Sequence, residues 1–353
     1  MNILYIISSL KHGGAEKQTV IDANLFSEKH NVTLVTFKDG ELKGLLSNNV
    51  KLVLVDKKGY LSTARKIRKI IKDEKIQIIN ASLFASMIIS VISANKIGVP
   101  VFWYFHSHEY DMQFRSLMAF NYFSKKKCLK KIFFVSNELK NSILKKGIKL
   151  HGDKQAVLYN SYTLDSVLSI HNNKSNNKVI IGFIGRLVEL KRVEYLIELA
   201  TYLKSNGIDN FRIDIIGDGK SKQRLIDYSK ELNVEDSINI LGYRSEVGKY
   251  YDSFDIFVLP SREECLSLAL IDAGVKRIPC IAFDIGGNNE IIIDGKSGFL
   301  VKTKEELFRR TELLIKDKNK RLGFGKEAEL YCKNKFDTVK RCNYLENLFK
   351  NLN

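Results

Sequence analysis

Two cationic side chains follow a predicted strand in the second half of the sequence. The apolar run Val179 to Ile184 leads into Gly185 and Arg186, and Lys191 lies five residues after Arg186, near the start of the next predicted helix. Two cations at the carboxyl edge of a sheet suit a diphosphate ligand. Because lysines and arginines at loop ends are often only solvated, this motif alone leaves a surface loop as the alternative.

Two carboxylates follow in the run DIFVLPSREECLSLALIDAG. A predicted buried strand ends at Pro260 and delivers Glu264 on a loop, and Asp272 follows eight residues later, about two turns into the next segment. Glu264 is expected to face a ligand, and Asp272 could accept hydrogen bonds from the hydroxyls of a sugar or ribose on the same ligand. Small and apolar neighbours such as Cys265 and Ala269 weaken the alternative of plain surface charges.

Glycine-containing turns follow three predicted strands. Gly13 and Gly14 lie in SSLKHGGAE, Gly217 lies in IIGDGK, and Gly286 and Gly287 lie in FDIGGNNE. Glycine lets a backbone approach a ligand closely, and the free amides at the start of a helix favour anions. Each turn could therefore hold a phosphate, although each could equally be an ordinary tight turn.

The elements that position these residues alternate in the pattern of βαβ units around a parallel sheet. Predicted strands of the first half are Asn2 to Ser8, Val32 to Phe37, Lys51 to Val55, Ile76 to Asn80, Val101 to His106, Ile132 to Ser136 and Gln155 to Leu158. Those of the second half are Val179 to Ile184, Arg212 to Ile216, Ile238 to Leu241, Ile256 to Leu259 and Cys280 to Phe283. The chain after about residue 303 is predicted to be helical.

The length of 353 residues predicts two domains, since one core seldom grows beyond roughly 250 to 300 residues. The polar segment His171 to Lys178, HNNKSNNK, reads as a linker. We therefore expect an α/β chain with Rossmann-like, doubly wound domains at residues 1–170 and 178–335, facing a central cleft. The final helix, about 336–353, is expected to join the first domain, and ligands of such sheets bind at the carboxyl ends of the strands.

The composition, with 44% hydrophobic and 27% charged residues, is that of an ordinary globular protein. No export leader and no run of membrane-spanning length is seen, and five scattered cysteines without a CxxC spacing argue against disulfides and zinc. These features predict a cytoplasmic protein.

The net charge of +17 is concentrated in the first half, where residues 1–170 hold 26 basic and 13 acidic residues. Such a surplus suggests an anionic partner: membrane lipid, nucleic acid or a phosphorylated substrate. One cluster of lysines and arginines lies at 65–72 on a predicted helix, and a second, at 125–131, follows the aromatic stretch Phe114 to Phe123, which contains Phe120, Tyr122 and Phe123. This composition is typical of an interfacial membrane segment, although the aromatics could instead be core and the lysines a solvated face.

The order of the motifs resembles glycosyltransferase family 4, the retaining enzymes of the GT-B fold. The resemblance extends from GGAE at Gly13 to Glu16, through GRLVELK, IIGDG, LGY at Leu241 to Tyr243 and PSREECLSLALIDA, to GGNNE at Gly286 to Glu290. It implies a glycosyltransferase that moves a sugar from a nucleotide-diphosphate donor to a glycan or lipid-linked acceptor, in cell-surface polysaccharide or glycoconjugate synthesis.

The resemblance also implies a role for each motif. Arg186 and Lys191 would stabilise the departing donor diphosphate, which is electrostatic catalysis. Glu264 would contact the donor sugar, and Asp272, where the family usually has glutamate, would hold the ribose hydroxyls. The other donor-binding residues would be Gly13, Gly14, Gly185, Gly217, Gly242, Tyr243, Gly286, Gly287 and Asn288.

The family's histidine at the end of an N-domain strand corresponds to His106, which would act in the active site. His106 and His108 could alternatively be a pair of metal ligands, although no third ligand is suggested. Because no DxD triplet occurs, we expect no metal ion and no cofactor, with positive charge supplied by Arg186, Lys191 and helix-terminal amides.

Two departures from the family pattern and two rival functions remain open. Cys265 and Ser267 replace the usual glycines after the first acid, and Asp272 is one methylene shorter than the usual glutamate. These departures put the identity of the donor sugar and the affinity for ribose in doubt. A nucleotide-sugar epimerase of similar fold is one rival. A polyanion-binding protein is the other, although nucleic acid is not expected because no recognisable binding motif occurs. An anionic membrane surface is a further expected partner, with the protein peripheral on the inner face of the cell membrane.

Overall fold

The computed structural model describes residues 1–107, 114–147, 154–162, 178–244 and 246–352. It divides into two compact units: unit 1 is Met1–Asn160 with Val339–Asn353, and unit 2 is Ser161–Thr338. The chain thus passes from one unit to the other at 160/161 and returns at 338/339, whereas the sequence placed the first boundary near residue 170. The predicted linker lies outside the described residues, apart from Lys178.

Unit 1 contains a parallel seven-stranded sheet in the order β3-β2-β1-β4-β5-β6-β7. Its strands are β1 Asn2–Ile7, β2 Asn31–Thr36, β3 Val50–Leu54, β4 Ile78–Ser82, β5 Val101–Phe105, β6 Leu129–Phe134 and β7 Gln155–Val157. Its first five helices are α1 Gly14–Ser27, α2 Tyr60–Asp73, α3 Phe84–Ala94, α4 Phe114–Phe123 and α5 Asn137–Lys145. The central strands β4 and β5 are buried along their whole length, as expected of a sheet covered on both faces.

Unit 2 contains a parallel six-stranded sheet in the order β10-β9-β8-β11-β12-β13. Its strands are β8 Val179–Ile184, β9 Phe211–Ile216, β10 Ile238–Gly242, β11 Ile256–Leu259, β12 Cys280–Phe283 and β13 Gly298–Val301. Its helices are α6 Glu194–Ser205, α7 Lys222–Glu231, α8 Gly248–Tyr251, α9 Leu268–Val275, α10 Lys304–Lys316 and α11 Lys318–Lys335. The strand order reverses between β8 and β11, as it does between β1 and β4 in unit 1, and ligands of such sheets bind at these switch points.

The last helix, α12 Thr338–Lys350, is held in unit 1 by a buried ion pair. Arg341 Nε and Nη2 donate to the two carboxylate oxygens of Asp22 in α1 at 3.1 and 2.8 Å, and both side chains are only 4% exposed. Arg341 Nη1 also donates to the Tyr159 carbonyl at 2.6 Å. Leu345 and Phe349 of the same helix join the apolar core beneath the sheet.

Both units are doubly wound α/β sheets, which confirms the predicted fold class. One strand begins later than predicted: β4 starts at Ile78 because residues 74–77 complete the end of α2. There, Lys75 adopts a left-handed φ of 49° and the Ile76 amide donates to the Ile71 carbonyl. No helix in the described residues is both long and apolar enough to cross a membrane.

The interfacial segment predicted at Phe114 to Phe123 is wrong in one respect, because Phe120 belongs to the core. The Phe120 ring is fully buried and packs edge-to-face on Phe84 and Trp103, at centroid distances of 4.9 and 5.7 Å. Tyr122, two residues further along α4, is 59% exposed. Because of the helical period, Phe120 and Tyr122 lie on different faces of α4, one buried and one exposed.

Candidate functional site

An ion pair lies at the switch point of unit 2, where β8 and β11 end side by side. Lys191 closes the 3₁₀ turn Glu189–Lys191 after β8, and Glu264 lies on the loop after β11. Lys191 Nζ donates to Glu264 Oε1 at 2.5 Å, and the two side chains are 18% and 9% exposed. The structure therefore brings together two predicted site residues that are 73 positions apart.

Backbone hydrogen bonds hold the loops around this pair. The Arg262 amide donates to the Leu190 carbonyl at 2.7 Å, which joins the loops after β11 and β8. The Gly185 amide donates to the Ile216 carbonyl, and the Leu187 amide to the Asp218 carbonyl, which joins the loops after β8 and β9. The site is therefore pre-formed by backbone contacts along the sheet edge.

Arg186 differs from Lys191 in its surroundings. Its side chain is exposed, and no carboxylate of the described residues lies within 4 Å of its guanidinium. Lys191, by contrast, already has a carboxylate partner. The loop after β8 thus presents one available cation and one paired cation at the same sheet edge.

Two of the predicted glycines are required by their conformation and by close contact. Gly217 has a φ of 147°, and a Cβ there would overlap the Gly185 carbonyl oxygen. Gly286 has a φ of 51°, and a Cβ there would overlap the Glu264 carbonyl oxygen. These positive φ values disfavour other residues, so both glycines let neighbouring loops touch through their backbones.

The GGNNE motif forms the 3₁₀ turn Gly286–Glu290 after β12. The first amides of such a turn have no partner within it. The Asn288 side chain is fully buried, and its Nδ2 donates to the Phe283 carbonyl at 3.0 Å, so it fixes the turn from beneath. Gly286 and Gly287 are the first residues of the turn, so their backbone amides have no partner within it.

Asp272 lies one turn into α9, rather than two turns as the sequence suggested. Its side chain is 1% exposed. Burial, with the Asp272 negative charge as a further cause, raises the pKa of the Tyr251 phenol well above its usual range. The Asp272 carboxylate is thus buried in α9, the helix that follows the loop of Glu264, and its contact with ribose stays a prediction.

The LGY motif lies where β10 ends. Gly242 has a φ of 72°, and its carbonyl accepts the Gly217 amide at 3.0 Å. Tyr243 follows directly and is 41% exposed. Tyr243 is thus the exposed residue next to the glycine that contacts the end of β9.

In unit 1, His106 directly follows β5. Its Nε2 lies 3.4 Å from Ser82 Oγ at the end of β4, and its ring stacks on Tyr104 with a centroid distance of 6.4 Å. Burial, and secondarily the Arg341 charge, lowers the pKa of His106 to about 3, while Asn160 opposes the shift. His106 is therefore a neutral imidazole at pH 7, suited to hydrogen bonding rather than to charge pairing.

The GGAE turn lies at the carboxyl end of β1, beside the switch point of unit 1. Gly13 is the extended N-cap of α1, and Gly14 begins the helix. A Cβ at Gly13 would overlap the Glu16 carboxylate, whose Oε1 accepts a hydrogen bond from Ser9 Oγ at 3.2 Å. A Cβ at Gly14 would meet open space, so nothing in unit 1 itself requires glycine at that position.

The alternative of a metal pair at His106 and His108 cannot be compared with the structure, because His108 lies outside the described residues. Within the described part of the chain, no group of three or more histidine, cysteine, aspartate or glutamate side chains is arranged to hold a metal ion.

The chain matches two protein families in succession. Residues 12–166 match the family described as Glycosyltransferase Family 4, and residues 168–331 match Glycosyl transferases group 1. The UDP-Gal:alpha-D-GlcNAc-diphosphoundecaprenol alpha-1,3-galactosyltransferase of Escherichia coli is 25% identical, over 92% of this chain and 89% of that protein. An alpha-1,4-N-acetyl-D-galactosaminyltransferase of Campylobacter jejuni, whose named substrate is a PP-undecaprenol glycan, is 25% identical over 94% of each chain.

Solved structures share the fold across both units. The Anabaena HepE structure in complex with UDP-glucose superposes with a TM-score of 0.86 at 19% identity, over 99% of this chain and 100% of that one. WaaG, a glycosyltransferase involved in lipopolysaccharide biosynthesis, superposes with a TM-score of 0.77 at 13% identity, over 98% and 99% of the two chains. The two family matches, the motifs and the paired doubly wound sheets agree, and the chain therefore belongs to the family 4 glycosyltransferases of the GT-B fold.

Proposed function

We propose that this glycosyltransferase moves a sugar from a uridine-diphosphate donor to a lipid-linked glycan, with retention of anomeric configuration and without a metal ion. The names of similar proteins support the choice of donor and acceptor: the Escherichia coli relative uses UDP-Gal and a diphosphoundecaprenol acceptor, and HepE was crystallised with UDP-glucose. Synthesis of a cell-surface polysaccharide or glycoconjugate is the pathway class that fits these acceptors.

The observation that carries the proposal is the Lys191–Glu264 pair at the switch point of unit 2. When the bond from sugar to diphosphate breaks, negative charge develops on the departing phosphate. A fixed cation stabilises that charge without reorganising. Glu264 is held by Lys191 and by the contact of its carbonyl with Gly286. In the proposed role it accepts hydrogen bonds from hydroxyls of the donor sugar.

Positive charge from the protein itself supports metal independence. Arg186 and Lys191 are two cations on one loop, and the turns at Gly286 and at Gly13 add amides that favour an anion. No DxD triplet offers the aspartates that commonly bind a divalent ion. We expect no cofactor in addition.

A peripheral position on an anionic membrane surface is the proposed location, and the basic surplus of residues 1–170 supports it. A lipid-linked acceptor would be met at the same surface. Nucleic acid is not expected as a partner, because the surplus of basic residues is the one feature that supports it.

Transfer assays with purified protein test the catalytic roles. With UDP-sugars and an undecaprenyl-diphosphate glycan, Lys191→Ala and Arg186→Ala should each lower turnover about 10²-fold or more, the effect of losing a preorganised charge partner. Lys318→Ala, which removes an exposed cation of the same unit, is the matched control and should be neutral. Near wild-type turnover in either site variant, with unchanged thermal melts, would show that the diphosphate lies elsewhere.

The same assay tests the mechanism and the epimerase alternative. Transfer should continue in excess EDTA, and NMR of the product should show the anomeric configuration of the donor. Inactivation by EDTA with rescue by manganese or magnesium would refute metal independence, and an inverted product would refute retention. A changed sugar stereocentre without acceptor would identify an epimerase.

A further inference from the structure

A groove with a volume of about 410 Å³ lies among the helices of unit 1. One wall is α2, and the other walls are the carboxyl-terminal ends of α3 and α4. Arg65, Lys96 and Lys126 line it, together with the apolar side chains of Leu61, Val91 and Tyr122. We call it the basic groove.

Three cations of the basic groove lack an acidic partner. Arg65 and Lys96 are exposed and Lys126 is half-buried, and no carboxylate in the described part of the chain lies within 4 Å of any of them. None of the described residues that line the groove is acidic. Three like charges around one concave surface leave a positive potential that an anion would relieve.

A fourth cation, Arg68, is already used to build the wall. Its Nη2 donates to the Ile92 carbonyl at 2.9 Å and its Nε to the Ser93 carbonyl at 3.2 Å, at the end of α3. These bonds satisfy carbonyls that have no partner within their own helix. They also join α2 to α3, so the groove is a fixed feature of the packed helices.

Large apolar side chains stand exposed at the rim. Leu61 is 65% exposed and Tyr122 is 59% exposed, and Met118, one turn before Tyr122 on α4, is 56% exposed. The Lys126 ammonium lies 4.0 Å from the centre of the Tyr122 ring. Exposed aliphatic and aromatic groups beside lysines are the composition of a surface that lies in a membrane interface.

We propose that the basic groove binds the phosphate head group of an anionic membrane lipid. Arg65, Lys96 and Lys126 surround the phosphate, and Leu61 and Tyr122 enter the boundary between head groups and acyl chains. This inference rests on the proposed function, because it assigns a binding site to the peripheral membrane location. RNA would satisfy the same cations, but it gives no reason for the exposed Leu61 and Met118, so the apolar rim favours a bilayer.

Vesicle sedimentation tests the site. Phosphatidylcholine vesicles are compared with vesicles that contain phosphatidylglycerol, at low and high salt. The wild-type protein should bind only the anionic vesicles, and less at high salt. The triple variant Arg65→Gln, Lys96→Gln, Lys126→Gln should lose about 100-fold in vesicle affinity. The matched control Lys318→Gln, Lys320→Gln, Lys326→Gln removes equal charge from exposed positions of unit 2 and should lose little.

Two further measurements make the outcome decisive. Leu61→Ser with Tyr122→Ser should weaken anionic vesicle binding, whereas Leu322→Ser, at a 55% exposed site in unit 2, should not. Equal losses in both triple variants would overturn the proposal, as would absent binding at low salt or a groove variant that loses only oligonucleotide binding. Thermal shift with UDP on the same preparations tests the donor site independently, so failure of the lipid site and failure of the proposed function are distinguishable.

Discussion

The two units share the order of their first six strands but fix their candidate sites by different means. In unit 2, loops touch through their backbones: Gly217 packs on the Gly185 carbonyl and Gly286 on the Glu264 carbonyl. In unit 1, side-chain contacts surround His106 instead. The His106 ring stacks on Tyr104, and the Arg341 guanidinium lies over the Tyr104 ring. One edge of a sheet can therefore be shaped either by glycines, which have no side chain, or by a buried polar network.

The two units are also proposed to bind different ligands. A diphosphate is small and is recognised by close-lying amides and cations, which glycine turns permit. The proposed membrane surface instead needs broad positive charge, and residues 1–170 carry a net charge of +13 against +4 in the remainder. Substitutions at Arg341, Gly286 and His106 test these two ways of fixing a site.

The largest expected effect comes from breaking the buried network of unit 1. Arg341→Ala leaves the Asp22 carboxylate buried without its bidentate partner, and losing one member of a buried ion pair costs about 3–5 kcal/mol. We expect the free energy of unfolding of unit 1 to fall by about that amount, while the unit 2 transition is unchanged. Urea unfolding followed by tryptophan fluorescence reports on unit 1, because Trp103 is the one tryptophan of the chain.

A double substitution serves as the control. Arg341→Met with Asp22→Leu removes both charges together and should recover part of the loss, since an apolar pair of similar volume needs no desolvation. Recovery stays partial because the Tyr159 carbonyl still loses its donor. A loss in the double variant as large as in Arg341→Ala would show that the ion pair is not the cause.

The next largest effect is expected for Gly286→Ala, and Gly295→Ala in the same unit is its matched control. Gly286 and Gly295 both have positive φ, 51° and 69°, so alanine strains either backbone by about 1–2 kcal/mol. A Cβ meets the Glu264 carbonyl at Gly286 but open space at Gly295. Gly286→Ala should therefore cost about 1–3 kcal/mol more and displace Glu264. Calorimetry should show weaker UDP-sugar binding for Gly286→Ala alone, and equal binding in both variants would refute the role of this contact.

Much of the fold could be predicted because buried parallel strands read as continuous apolar runs. Val179–Ile184, Ile256–Leu259 and Cys280–Phe283 have the predicted bounds. The strand Gly298–Val301 was missed because it begins with glycine, which leaves an apolar run of only three residues. That glycine is required, since a Cβ there would overlap the Cys280 carbonyl of the neighbouring strand.

The candidate site could be predicted only one motif at a time. The pairing of Lys191 with Glu264 depends on β8 and β11 being neighbours, a property of strand order that no local pattern states. The Arg341–Asp22 pair was missed for the same reason, since its members are 319 positions apart. Its one local signal is a charged residue among the buried positions of α1.

The smallest expected effect concerns the pH dependence that His106 gives to unit 1. Its pKa is about 3 in the folded protein, against an ordinary value of 6.5, chiefly because burial disfavours the imidazolium and then because of the Arg341 charge. Between these values the unfolded chain binds a proton that the folded chain does not, so the free energy of unfolding falls as pH falls below 6.5. At pH 5 the loss is about 2 kcal/mol relative to neutral pH, and His106→Gln should lack it. Urea unfolding of both proteins at pH 7 and pH 5 measures the difference. NMR of the His106 ring provides the direct check, and its resonances should not titrate above pH 4. A midpoint near pH 6.5 would show instead that this imidazole is exposed to water and is not buried in the polar network of unit 1.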